Sequence, residues 1–172
     1  MARAPQPTPE HQTLRAEARA FAEAFCAESH PELFGITDGK AVGTYIESRF
    51  KAALRARDFF VEDEDEGSAA KGIDLPRLQT DIKVTSARQP QSSAPFGSFR
   101  QKIEGLGYHL MLFVYVKTDA ESSSTIEFPY VRFIPAELTG DYQTTRYLRY
   151  LIGDQRAVGK LRQALGRTVG AP

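Results

Sequence analysis

The chain has 172 residues, enough for one compact domain with a real hydrophobic core and no need of disulfide or metal staples. Hydrophobic residues make up 41% and charged residues 26%, ordinary for a soluble globular protein, and no apolar run is long enough for a membrane-spanning helix. The single cysteine, Cys26, excludes an intramolecular disulfide; its setting among Ala, Phe and Glu predicts a packed thiol. The net charge is zero, so overall balance does not announce a nucleic-acid partner. The signs are nevertheless separated. Asp58 to Glu66 carries six acids and no base, Ile82 to Ile103 four bases and no acid, and Asp141 to the end six bases against two acids. Such a distribution either presents one basic face or simply decorates solvated helices and loops.

Residues 1–12 are polar and Pro-rich with no apolar core, and read as a flexible leader, not a secretory signal. Residues 13–172 read as one domain, with its core at 39–134 and helices at 141–172. Thr13 to Ser29 repeats Leu14, Ala18, Phe21, Ala22 and Phe25 at helical steps, and His30-Pro31 ends that helix. A second helix carries Val42, Tyr45, Ile46, Phe50, Ala53 and Leu54 on one stripe. Glu47 lies beside the stripe, and Arg49, Lys51, Arg55 and Arg57 lie on other faces. Phe59-Phe60-Val61 begins a strand, and the acidic run after it is a loop without the ligand pattern of a calcium site.

Gly72 to Leu75 and Gln79 to Thr85 read as two short strands joined by Pro76-Arg77. Ser86 to Gly97 is a polar loop, and Ser98 to Glu104 a short helix broken by Gly105 and Gly107. Tyr108 to Val116 is the most apolar stretch and suits a strand buried on both faces. His109 within it reads as a core histidine. Thr125 to Ile134 is a further strand, placed at an edge by Pro129. Asp141 to Ile152 and Asp154 to Leu165 are basic amphipathic helices, suited to backbone phosphates, a subunit contact or plain solvent. The order predicts an α/β (mixed α+β) domain, a central mixed sheet flanked by helices on both sides.

The chemistry gathers in Gly72 to Ser86. Side chains alternate across a strand, so Asp81 and Lys83 share a face while Ile82 points into the core. A hairpin-like turn brings Asp74 beside Asp81, so that two carboxylates and an ammonium converge. Phosphodiester hydrolysis needs such a set: oxygen ligands for a hard cation, an activated water and positive charge against the phosphate. The competing reading is an Asp81–Lys83 ion pair on an exposed strand.

These residues resemble the PD-(D/E)xK nuclease superfamily, with Asp74 as the first acid, Asp81 as the second and Lys83 as the lysine. Ile73 stands where the literal motif has proline. The seven-residue step from Asp74 to Asp81 is similar to that of MutH-like nickases and related type II restriction endonucleases, which also carry a helix glutamate, matched by Glu47. The resemblance spans Gly39 to Val116. It implies a restriction-endonuclease-like core, a cytoplasmic enzyme with no membrane association, a double-stranded DNA substrate and a homodimer. It also implies Mg²⁺ held by Asp74, Asp81 and the backbone of Ile82, with Lys83 activating water and Glu47 completing the site. Arg88, Gln89, Gln91, Ser92 and Ser93 then read DNA from the loop, unless that loop is merely polar surface, and Lys102 contacts phosphate. The alternatives are a repair nickase or structure-specific nuclease of the same fold, or a catalytically silent DNA-binding module.

Overall fold

The computed structural model describes residues 7–57, 59, 73–88 and 105–140. Helix α1 spans Pro9–Cys26 and helix α2 spans Gly39–Ala56. Strands β1 (Thr80–Ser86), β2 (His109–Ala120) and β3 (Ser123–Ile134) form one sheet in the order β1-β2-β3. β1 runs parallel to β2, with Asp81 opposite Leu110 and Lys83 opposite Leu112. β2 and β3 form an antiparallel hairpin. The sheet is therefore mixed, as the sequence predicts. No helix among the described residues is long and apolar enough to cross a membrane.

α1 starts earlier than its apolar repeat suggests. Pro9 occupies the first turn, where its missing N–H costs nothing. His11 folds back so that its Nδ1 accepts the Thr8 N–H at 2.8 Å. Its Nε2 then faces the Leu78 carbonyl at 2.8 Å. Residues 9–12 of the expected leader are thus helical, and His11 is buried. The helix ends at Cys26, short of Ser29, and the Cys26 thiol is exposed and not packed. The apolar repeat turns Phe25 inward, which leaves its neighbour facing solvent. His30 is buried beyond the helix end, stacked on Phe25 with ring centroids 4.0 Å apart and exchanging backbone hydrogen bonds with Ser124 of β3.

Both helices cover the same face of the sheet. Leu14, Ala18, Phe21 and Phe25 of α1 and Val42, Ile46, Phe50 and Leu54 of α2 pack on Ile82, Met111, Phe113, Tyr115 and Ile126. The Phe50 and Phe113 rings meet at 4.9 Å, within the range in which aromatic pairs add to plain burial. The opposite face buries Leu110, Leu112, Val114 and Ile134 with Leu106. β2 is therefore buried on both faces, as its unbroken apolar run predicts. The expected second helical layer, 141–172, lies outside the described residues, as do Phe60-Val61, the acidic loop and the helix over Ser98 to Glu104.

Among the described residues β3 is an edge strand, and it contains Pro129. Val114 pairs with Tyr130 and Val116 with Glu127, which gives β3 one extra residue opposite Tyr115. That bulge absorbs the residue that cannot donate to the ladder. His109 is a core histidine, fully buried, with Nδ1 accepting the Ala136 N–H at 2.9 Å. Burial and the neighbouring His11 push its pKa down to about 4, so it is neutral at pH 7.

The expected strand over Gly72 to Leu75 is reduced to one isolated bridge between Leu75 and Thr80. Pro76 starts a short 3-10 turn through Leu78, and Gln79 closes it in the left-handed region at φ 46°. Proline favours that turn over a continued ladder. The turn still reverses the chain, which is what the site requires.

Candidate active site

Two backbone features bring the acids together. Leu75 and Thr80 exchange N–H···O bonds of 2.9 and 3.1 Å, folding the segment before β1 onto the edge of β1 away from β2. Asp74 Oδ2 then accepts the Ile82 N–H at 2.9 Å, and Asp81 Oδ1 accepts the Asp74 N–H at 3.3 Å. In a strand, the N–H and C=O of one residue point to the same side. The Ile82 carbonyl therefore faces away from β2, towards the side where Asp74 sits. Asp74, Asp81 and the Ile82 backbone meet there, as the sequence predicts.

α2 supplies the other wall. Its Gly43 packs closely on β1, where an added Cβ would stand 3.7 Å from Val84. One turn on, Glu47 reaches the same edge. Lys51 lies a further turn along and joins the two walls. Its Nζ is 2.7 Å from Glu47 Oε1 and 2.5 Å from Asp74 Oδ1. Its side chain is 19% exposed, so Lys51 is not one of the outward-facing bases that helix periodicity makes it.

Electrostatics divide the acids. Asp81 is pushed up to about 8, first by burial, then by its hydrogen bond to Asp74 and the negative charge there; the nearby Lys83 acts in the opposite direction. Burial also acts to raise Asp74, but hydrogen bonds from Asp81, Lys51 and the Ile82 N–H outweigh it and hold that carboxyl below its usual range. Burial raises Glu47, with Lys51 opposing. Burial acts to lower Lys51, and its two carboxylate partners more than reverse this. The two neighbouring carboxyls are thus set apart, Asp81 towards its protonated form and Asp74 towards its charged form.

Two residues at the site escaped the sequence reading. Lys51 carried a usable signal: it stands four residues after Glu47, the spacing of a helical ion pair. Tyr108 is the other. It packs with the even-numbered residues of β2, on the side that Asp81 shares through its register with Leu110. Its phenol is pushed up to about 12 by burial and then by the charges of Asp81 and Asp74.

Arg88 is exposed at the opposite end of β1 from Asp81. With Lys40, Ser86 and Lys117 it lines a groove of about 920 Å³. Gln89, Gln91, Ser92, Ser93 and Lys102 lie outside the described residues.

A mixed sheet with two helices on one face and paired acids at its parallel edge defines an α+β protein with a nuclease-like core. Its family model, described as type II restriction enzyme NspV, matches residues 9–165, and the chain belongs to that family. The type II restriction enzyme NspV of Nostoc sp. (strain ATCC 29411 / PCC 7524) is 47% identical over 146 residues, covering 84% of this chain and 64% of that protein. The chain thus spans slightly less than two thirds of the relative's length. No solved structure matches it.

Proposed function

We propose that the chain is a Mg²⁺-dependent endonuclease of the PD-(D/E)xK type that cuts double-stranded DNA as a type II restriction enzyme. The observation that carries this is the Asp74–Asp81 clasp on the side of β1 away from β2, with Lys83 two residues on, in a member of a restriction-enzyme family. A homodimer acting in the cytoplasm is the accompanying assembly: two sites are needed to cut both strands.

The donors fit a hard divalent cation. Among the described residues no three His, Cys, Asp or Glu side chains form a metal-holding group, and zinc has no thiolate or imidazole set here. Mg²⁺ makes smaller demands, since one or two carboxylates suffice and water completes the shell. Asp74, Asp81 and the Ile82 carbonyl would hold it, with Glu47 completing the site from outside the ligand set, tied to Asp74 through Lys51. The ion supplies an acidified water and polarisation of the scissile phosphate. Asp81 must give up its proton to serve. Lys83 holds positive charge near the reacting phosphate and orients the attacking water. Arg88, Gln89, Gln91, Ser92 and Ser93 read or hold DNA, and Lys102 contacts a phosphate.

The test is incubation with long linear duplex DNA of known sequence, with Mg²⁺ or EDTA, beside Asp81→Asn. Discrete fragments requiring both Mg²⁺ and Asp81 are expected. Nicked products alone would point to a nickase, and no cutting of any DNA to a silent binding module.

A further inference from the structure

The ammonium of Lys51 stands where a cation serving these carboxylates would be expected to act. It reaches across from α2 to a residue 23 positions away, touching Glu47 Oε1 at 2.7 Å and Asp74 Oδ1 at 2.5 Å. Asp74 Oδ2 accepts the Ile82 N–H, and the Lys51 ammonium sits on Oδ1 of the same carboxylate, where it competes with any cation that the group would hold. An ordinary helical Glu–Lys pair would need only Glu47. The bond to Asp74 instead ties the helix to the segment preceding β1. We propose that Lys51 is a resident counter-ion of the active site: it holds Glu47 and Asp74 together in the metal-free protein and is displaced when a divalent cation binds. This rests on the metal-dependent reading above.

The divalent cation and the Lys51 ammonium compete for the same oxygens. Mg²⁺ binds oxygen at about 2.0–2.1 Å and repels a second positive charge beside it. A lysine can leave, because its charge sits on a flexible four-carbon stem. Two charge-assisted hydrogen bonds must break when it does, which weakens net metal affinity. The lysine thereby keeps clustered carboxylates from repelling one another before the metal arrives. Lys51 is a positioning residue: it acts on the acids, whereas Lys83 faces the chemistry.

Titration calorimetry with MgCl₂ on the full chain tests this, comparing wild type with Lys51→Met, which keeps the stem and removes the charge. The variant should bind Mg²⁺ on the order of tenfold tighter. Its melting temperature should fall in EDTA and recover towards wild type in saturating Mg²⁺. A second measurement uses wild type alone: acylation of Lys51, followed by mass spectrometry, should be several-fold faster in Mg²⁺ than in EDTA. Equal or weaker Mg²⁺ binding by Lys51→Met would overturn the inference, leaving a structural ion pair. So would Lys51 acylation unchanged in protein shown to hold Mg²⁺, even if the variant does not fold. Failure of both proteins to bind Mg²⁺ would remove the metal site itself and the inference with it.

Discussion

Asp74 and Asp81 hold each other through the backbone: the carboxylate of Asp74 accepts the N–H of the residue after Asp81, and the carboxylate of Asp81 accepts the N–H of Asp74. The seven-residue spacing is what lets one short turn close this clasp. An Asp74→Asn variant keeps an oxygen for Ile82 and loses the charge. It should fold, with a stability change within about 2 kcal/mol. It should bind no Mg²⁺ in calorimetry and cut no DNA. Cleavage at wild-type rate would remove Asp74 from the site.

The raised pKa of Asp81 makes stability depend on pH in the metal-free protein. The folded state holds this proton up to about pH 8, whereas an unfolded aspartate releases it near the ordinary value of 3.8. Stability from this group is therefore fully present below that ordinary value and declines as pH rises to about 8. Asp81→Asn mimics the protonated acid, with an oxygen for the Asp74 N–H and an amide to donate. In EDTA it should match wild type near pH 4 and exceed it by on the order of 2 kcal/mol at pH 9, once screening at this half-buried site is allowed for. Urea melts at the two pH values measure the difference. A gap independent of pH would show that Asp81 titrates normally.

Lys83 follows Asp81 on β1 and lies close enough to oppose its raised pKa. Lys83→Met should leave Mg²⁺ affinity within a few-fold of wild type. It should slow single-turnover DNA cleavage by about 10²- to 10⁴-fold, the usual effect of losing a positioned proton-transfer or charge-stabilising group. Loss of metal binding instead would make Lys83 a structural partner of the acids.

The acid pair was legible because it rests on local rules. Alternation fixes the faces of Asp81 and Ile82, and Pro76 forces a reversal between Asp74 and Asp81. The doubly buried β2 was legible from its apolar run, and the edge position of β3 from Pro129. Lys51 was not legible, because helical periodicity sorts residues by apolarity and cannot say which polar face meets another acid across the fold. The segment before β1 read as a strand because its composition is extended, yet only the Leu75–Thr80 bridge forms. The start of α1 was hidden by its polarity. Its first buried side chain is His11, satisfied by partners that no helical pattern reveals.

That histidine yields a further prediction. His11 joins the first turn of α1 to Leu78, in the turn between Asp74 and Asp81. Its ring packs 4.6 Å from His109 and 5.1 Å from Phe133. Since Nδ1 already accepts the Thr8 N–H, Nε2 carries the proton donated to the Leu78 carbonyl. Phenylalanine at position 11 would keep an aromatic ring there and leave that carbonyl with the Thr80 hydroxyl, 2.9 Å away, as its remaining side-chain donor. The expected cost is about 0.5–1.5 kcal/mol, the usual net worth of one hydrogen bond. Because the turn sets the distance between the two acids, Mg²⁺ affinity should fall as well. A removal of residues 1–12 should reproduce both effects, whereas removal of residues 1–6, which spares Thr8 and Pro9, should not. Urea denaturation and Mg²⁺ calorimetry on the three variants would check this. Wild-type stability and Mg²⁺ affinity in His11→Phe would mean that the Thr80 hydroxyl alone suffices for the Leu78 carbonyl, and that α1 does not brace the site.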